Sequence, residues 1–208
     1  EIRTKIDQKM GSKLISKNNT VRVFLLCIAS LLVPNALSSA QEGGIKVLRL
    51  GVMNSIKEQS IVVLTNSSKK ENTFNTYSLS ADCYGIFNHK ARQPGVKFMF
   101  SHNTILHRVT LNESIDYLIY IGAGGVCGYV RDYSNMKFNP GALLGLTTSA
   151  GCIMAFAGTN FEMGLDFTAQ WAIHLRRMEE QNARLGLSWY ANGLIYALIP
   201  QVCIIYRF

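Results

Sequence analysis

Three stretches of this 208-residue chain bring chemistry-capable side chains close together. S-H-N-T-I-L-H-R (101–108) sets Ser101 beside His102 and His107, the residue types of a nucleophile and its base. I-G-A-G-G-V-C-G-Y (121–129) clusters glycines as phosphate-cradling loops do. In N-F-E-M-G-L-D-F-T-A-Q-W-A-I-H-L-R-R (160–177), Glu162, Asp166, Gln170, His174 and Arg176 recur at even spacing. The first stretch offers no third residue to complete a catalytic set, so His102 and His107 are read as structural polar residues and no catalytic residue is assigned. The second reads G-x-G-G-x-x-G, contains no G-x-G-x-x-G and precedes no helical pattern, so it is expected to be a glycine-rich strand that allows curvature or close packing. The third carries the most information, because even spacing puts all five polar residues on one face of a strand.

The elements that hold these residues follow from the same spacing. Between the polar residues of 160–177 stand Phe161, Met163, Leu165, Phe167, Ala169, Trp171, Ile173 and Leu175, a wholly apolar alternate set. A helix would mix the two sets around its circumference, whereas a strand separates them. The preceding stretch 142–157 is joined to it by Gly158-Thr159, the sequence of a type II′ hairpin turn. With Ala157 opposite Asn160, Phe156 faces Phe161, Met154 faces Met163, Cys152 faces Leu165 and Leu146 faces Trp171. On the other face Gly151 meets Asp166, Ser149 meets Thr168 and Thr147 meets Gln170. Leu143, Thr148 and Ile153 are exceptions to this sorting, and a one-residue slip would destroy it. Further strands are expected at 44–53, 59–66, 76–88, 95–109, 115–131 and 194–208, eight in all. In 101–104 the alternation fails, which predicts a bulge or register change there.

Composition narrows the class. Apolar residues make up 48% and charged residues 16%, where globular domains carry about 25% charge. A chain so rich in Ile, Leu, Val, Phe and Tyr is not disordered. The net charge of +8 does not indicate nucleic acid. Six Lys/Arg against two Asp/Glu lie in residues 1–40, and the rest form no basic stripe. Lys13, Lys17 and Arg22 precede the apolar run 23–33, followed by Pro34 and L-S-S-A, so residues 1–40 read as a signal peptide cleaved after Ala40. Met10 opens the conventional part of that signal, and residues 1–9 are set aside as an upstream extension. The remaining 41–208 is expected to be one domain. Cys83, Cys127, Cys152 and Cys203 lack metal-site spacing, so no metal, disulfide framework or cofactor is expected.

Strands of about 16 residues exceed the usual 5–6, and one face is apolar along its whole length. Such strands suit an antiparallel, up-and-down transmembrane β-barrel with lipid outside and a lumen filled by polar side chains. A soluble sandwich or lipocalin-like barrel would point its apolar face inward instead. Glu162, Asp166, Gln170, His174 and Arg176 are then a lumen polar network, its acids expected to pair with Lys97 or with arginines on other strands. With Phe208 at the periplasmic rim, the Gly158-Thr159 turn also falls on the periplasmic side, where turns are short.

The ending V-C-I-I-Y-R-F resembles the β-signal of outer-membrane proteins, with Val202, Ile204, Tyr206 and Phe208 as its alternating apolar and terminal aromatic positions. Together with G-L-D-F-T-A-Q-W-A-I-H, it makes the chain similar to small, porin-like outer-membrane β-barrels of Gram-negative bacteria, of the kind common in Bacteroidota. The resemblance implies location in the cell outer membrane, lipid as surroundings, and the barrel-assembly machinery as a partner during biogenesis. The expected role is a non-enzymatic barrel that serves envelope integrity or surface interaction through its outer loops. The alternatives are a lipid-modifying enzyme, a narrow pore, or a subunit of an envelope complex with an unnamed protein partner.

Overall fold

In the computed structural model, residues 45–67, 72–82, 95–112, 114–131, 140–177 and 185–208 are described. The proposed signal segment, Cys83 and the end of the strand expected at 76–88 lie outside them. Among the described residues nine strands form: β1 (Ile45–Asn54), β2 (Glu58–Ser67), β3 (Thr73–Asp82), β4 (Gly95–Asn112), β5 (Ile115–Arg131), β6 (Pro140–Phe156), β7 (Phe161–Arg177), β8 (Leu185–Trp189) and β9 (Gln201–Arg207). Each pairs antiparallel with its neighbour, and β9 joins β1 on one side and β7 on the other. The sheet therefore closes, and no edge remains at the level of β9.

Closure has a definite pitch. From Phe161 the cross-strand partners run through Tyr206, Leu50, Val63, Tyr77, Phe100, Gly125 and Leu146 and return to β7 at Trp171. The circuit crosses eight staves and arrives ten residues farther along β7, since 171 − 161 = 10. With ordinary strand rise and spacing, that stagger tilts the strands by about 40°.

The β6–β7 ladder has the register that the hairpin sequence demands, from Ala155–Glu162 and Cys152–Leu165 to Thr147–Gln170 and Leu146–Trp171. The turn itself is wider than two residues. Gly158 takes φ 75°, a left-handed value that suits glycine, and the Thr159 amide bonds Phe156 O. Ala157 and Asn160 pair outward instead of with each other, through Ala157 N to Ser114 O and Arg207 N to Asn160 O. The exceptions in the sorting also resolve. Leu143 and Ile153 turn into the lumen and are buried, while Thr148 turns outward and accepts a hydrogen bond from the Trp171 indole at 3.2 Å.

Two expectations are corrected. The alternation failure at 101–104 is not a bulge, because β3–β4 register is continuous from Asp82–Gly95 to Thr73–Thr104 and the shift comes later, between Ile105 and His107. Both faces are simply polar at that point: Ser101 and Asn103 inside, His102 and Thr104 outside. Of the strand expected at 194–208 only Gln201–Arg207 is strand, and a separate short strand, β8, precedes it at Leu185–Trp189. β8 pairs with β7 from Ile173 to Arg177 and β9 pairs with β7 from Phe161 to Asp166. Between them stand the short helix α1 (Asn192–Ile195) and a 3-10 turn, Tyr196–Leu198. L-I-Y-A-L-I has no period of two, and Pro200 brings no amide hydrogen to a ladder, so the backbone bonds locally through Leu194 and Ile195 to Ala191 O.

Candidate functional site in the barrel lumen

Alternation sends every second side chain of each stave inward, and an eight-stranded barrel has room for little else. Glu162, Asp166, Gln170 and His174 all project into the lumen and are buried, and Arg176 at the rim is half-buried. They do not form one cluster. The 40° tilt and four-residue spacing strand them at successive levels, each meeting different staves.

At the level nearest Phe208, Glu162 accepts from Arg49 Nη1 at 3.0 Å, and Arg49 Nη2 donates to Asn66 Oδ1 at 2.6 Å. The guanidinium lies 5.3 Å from the centre of the Phe74 ring, an arrangement that a planar cation tolerates well. Above this pair, Val62, Leu64, Phe74, Tyr120, Ile153, Cys203 and Ile205 make an apolar plug. Asp166 sits at its upper edge and accepts from Tyr120 Oη at 2.7 Å and from the Thr168 hydroxyl. A cavity of about 40 Å³ adjoins this layer, room for about three waters, with Ser101, Asn103, Thr147 and Ser149 among its lining residues. Asn103 holds that wall together: its amide donates to Thr76 Oγ1 at 2.9 Å, and its carbonyl accepts from Ser101 and Ser149, each at 3.2 Å. Gly122 makes this possible, since a Cβ there would collide with Asn103 Oδ1.

The next level contains the second ion pair. Lys97 pairs with the carboxylate of Glu58, which also accepts from the Gln201 amide. The same ammonium donates to Gln170 Oε1 at 3.2 Å and lies 5.9 Å from the centre of the Tyr190 ring. Side chains from β2, β4, β7 and β9 thus meet in one network. Above it Met99, Val126, Val130, Leu143, Ala172 and Tyr190 form a second apolar plug. His174 is wholly buried there and its Nε2 bonds Val130 O at 3.1 Å. Gly193 brings α1 against β7 so closely that a Cβ would strike Gln170 O, so the insertion closes the lumen on this side.

Lys97 does take an acid, but the acid is Glu58 of β2 and not one of the β7 carboxylates, and Asp166 is held by hydroxyls. Glu58, Arg49, Asn103 and Tyr190 were not singled out in the sequence, although Glu58 and Arg49 each occupy the inward parity of their strand. The histidine pair separates: Ser101 is inside, while His102 and His107 are exposed, so adjacent positions on a strand point the possible nucleophile and base to opposite faces.

The outer surface is the reverse of the lumen. Leu144, Leu146, Phe161, Phe167, Trp171 and Ile173 are all exposed, as are Val202, Ile204, Tyr206 and Phe208 on the last strand. Phe161, Tyr206 and Phe208 stack edge to face, with centroids 5.2 and 4.9 Å apart, at the end of the barrel where residues 68–72, 113–114 and 157–160 link strands. At the opposite end the links are 55–57, 83–94, 132–139 and 178–184, so three of those four are longer.

No family model matches the chain, and no curated protein matches it. Among solved structures, the N-terminal β-barrel domain of Pseudomonas aeruginosa OprF matches at 9% identity and a TM-score of 0.41, with 78% of this chain and 96% of that one covered.

Proposed function

We propose that this chain is a non-enzymatic outer-membrane β-barrel whose lumen is closed by side chains and whose longer links, at the end away from Phe208, face the cell exterior and serve envelope integrity or surface contacts. One observation carries the reading: the outward faces of β5, β6, β7 and β9 are lined with large apolar side chains, while the ion pairs lie inside. In water that distribution would expose apolar surface many times the area of an ordinary patch, whereas in a bilayer it is the stable one. Along their paired lengths the staves also give their backbone bonds to neighbours, as hydrocarbon surroundings require. The two ion-pair levels and two apolar plugs support a lumen that does not conduct, and the lumen residues Glu162, Asp166, Gln170, His174 and Arg176 are read as a packing network. Val202, Ile204, Tyr206 and Phe208 are proposed as the face read during assembly, which is supported by their exposure on the stave that closes the ring.

The test is behaviour in detergent and lipid. The folded protein is expected to require detergent, to resist cold SDS and to shift mobility on boiling. Spin labels at positions 165 and 171 are expected to report lipid. Water-soluble monomers without detergent, or labels that report water, would overturn the reading. Planar bilayers are expected to show no steady ion current.

A further inference from the structure

Asn75 and His102 are cross-strand partners on β3 and β4, on the outer surface of the wall, with His102 Nδ1 2.7 Å from Asn75 Oδ1. Thr65 on β2 faces Asn75 from the other side, and Thr73 faces Thr104 two residues along the strands. These five side chains form an uncharged polar patch that runs from Asn75 and His102 down through the threonines toward the Phe161 end. Followed onward, the same rung becomes Ala123, Thr148 and Ala169, where the one polar group is engaged by the Trp171 indole.

Depth makes the patch unusual. Each stave of the rung from Phe161 climbs about 3 Å along the axis at the tilt derived above, and Phe100 is the fifth stave along it. His102 lies two residues back from Phe100, which puts it about 10 Å from the level of Phe161, inside an apolar band about 25 Å tall. At that depth lipid tails offer the His102 and Asn75 groups no hydrogen bonds. A protein surface at the same depth does offer them, and Thr, Asn and His are the residues that bond across interfaces in lipid.

The chemistry of the pair selects which protein surface. A neutral imidazole whose Nδ1–H donates to Asn75 Oδ1 turns its bare Nε2 outward as an acceptor, with the Asn75 amide hydrogens beside it as donors. Reversing the amide exchanges donor and acceptor and leaves one of each. The patch is therefore complementary to itself under a two-fold axis: Asn75 of each copy can donate to His102 of the other. The three threonines, which both donate and accept, need no different partner. Absence of formal charge also suits self-contact, because no like charges meet. Beside the patch, Tyr77 and Phe100 form a tilted aromatic pair with centroids 5.2 Å apart, which extends the same outer face.

We propose that β2, β3 and β4 form the face of a symmetric dimer in the membrane, centred on Asn75 and His102. This rests on the membrane reading above. The experiment is sedimentation equilibrium in a density-matched neutral detergent, with energy transfer between donor- and acceptor-labelled copies in phosphatidylcholine vesicles. The wild type is expected to be dimeric, and N75L/H102L to dissociate at least about tenfold more readily, a change of the size expected for lost hydrogen bonds in lipid. A123L/A169L, on the far part of the same rung, is expected to match the wild type. Boiling-dependent gel mobility is measured for all three, so loss of association is read only from folded barrels. A folded wild type that is monomeric in both media overturns the dimer and leaves the membrane reading intact; so does N75L/H102L that associates as tightly as the wild type. A wild type that is soluble without detergent overturns both.

Discussion

The two faces of this barrel wall use polarity in opposite ways. Inside, polar groups are held by particular counterparts: Arg49 has Glu162, Lys97 has Glu58, and Asp166 has two hydroxyls. Outside, large apolar side chains follow one another with few specific bonds, the Trp171–Thr148 contact and the Asn75–His102 pair being the notable ones. The same strand β7 serves both, through nothing more than alternation. The inner face is therefore specified residue by residue, while the outer face is specified mainly by class. A substitution inside should be judged by the partner it abandons, and one outside by its hydrophobicity.

The largest expected effect comes from abandoning a buried partner. Glu58→Ala takes away the carboxylate paired with buried Lys97 and is expected to cost about 3–5 kcal/mol in denaturant unfolding of the detergent-folded protein. Glu58→Ala with Lys97→Met is expected to recover most of that loss, because the ion pair is then removed as a unit. If the double variant is no better than the single one, the inner face is not organised by pairing.

Breaking the outer face should cost somewhat less. Leu165→Arg places a charge on the outer wall, near the midplane of the proposed bilayer, with an expected loss of about 2–4 kcal/mol. Thr168→Arg is expected to fail differently, by overpacking a filled lumen at about 1–3 kcal/mol. Labelled neighbours distinguish the two, since only the first should draw water to the outer wall.

Smaller still is a change that keeps outer class but alters shape. Leu165→Ile is expected to stay below about 1 kcal/mol, because the outer wall, in the proposed lipid surroundings, is under no jigsaw fit of the kind a packed core imposes. A loss comparable with Glu58→Ala would mean this position packs against protein.

The smallest stability effect is expected at Phe208. Phe208→Ala removes one ring from the stack with Tyr206 and should leave refolding into detergent nearly unchanged. In cells the same variant is expected to insert poorly into the outer membrane, leaving aggregated or degraded chain on fractionation. Normal insertion would show that this ring is not read during assembly.

What the amino-acid sequence determined by itself was local: the parity of β7, the register of β6 against it, and the even spacing that sends Glu162, Asp166, Gln170 and His174 to one side. A hairpin joins these residues through a four-residue turn, so turn geometry and period two suffice to place them. Glycines 121–129 were legible as strand for the same reason, although the need for Gly122 appears only when Asn103 lies over it. The partners across the lumen were not legible. Alternation says which face a side chain occupies but nothing about which stave lies opposite, and that is decided by a ten-residue stagger accumulated over the whole circuit. Glu58 and Lys97 are 39 positions apart (97 − 58) and meet only after closure. The insertion at 190–200 was hidden because its apolar residues resemble strand, and only the gap in the β7 ladder between Asp166 and Ile173 shows that a helix fills the wall there. Tertiary closure thus chose the partners and the interruption, because both depend on distances around the ring that no local pattern encodes.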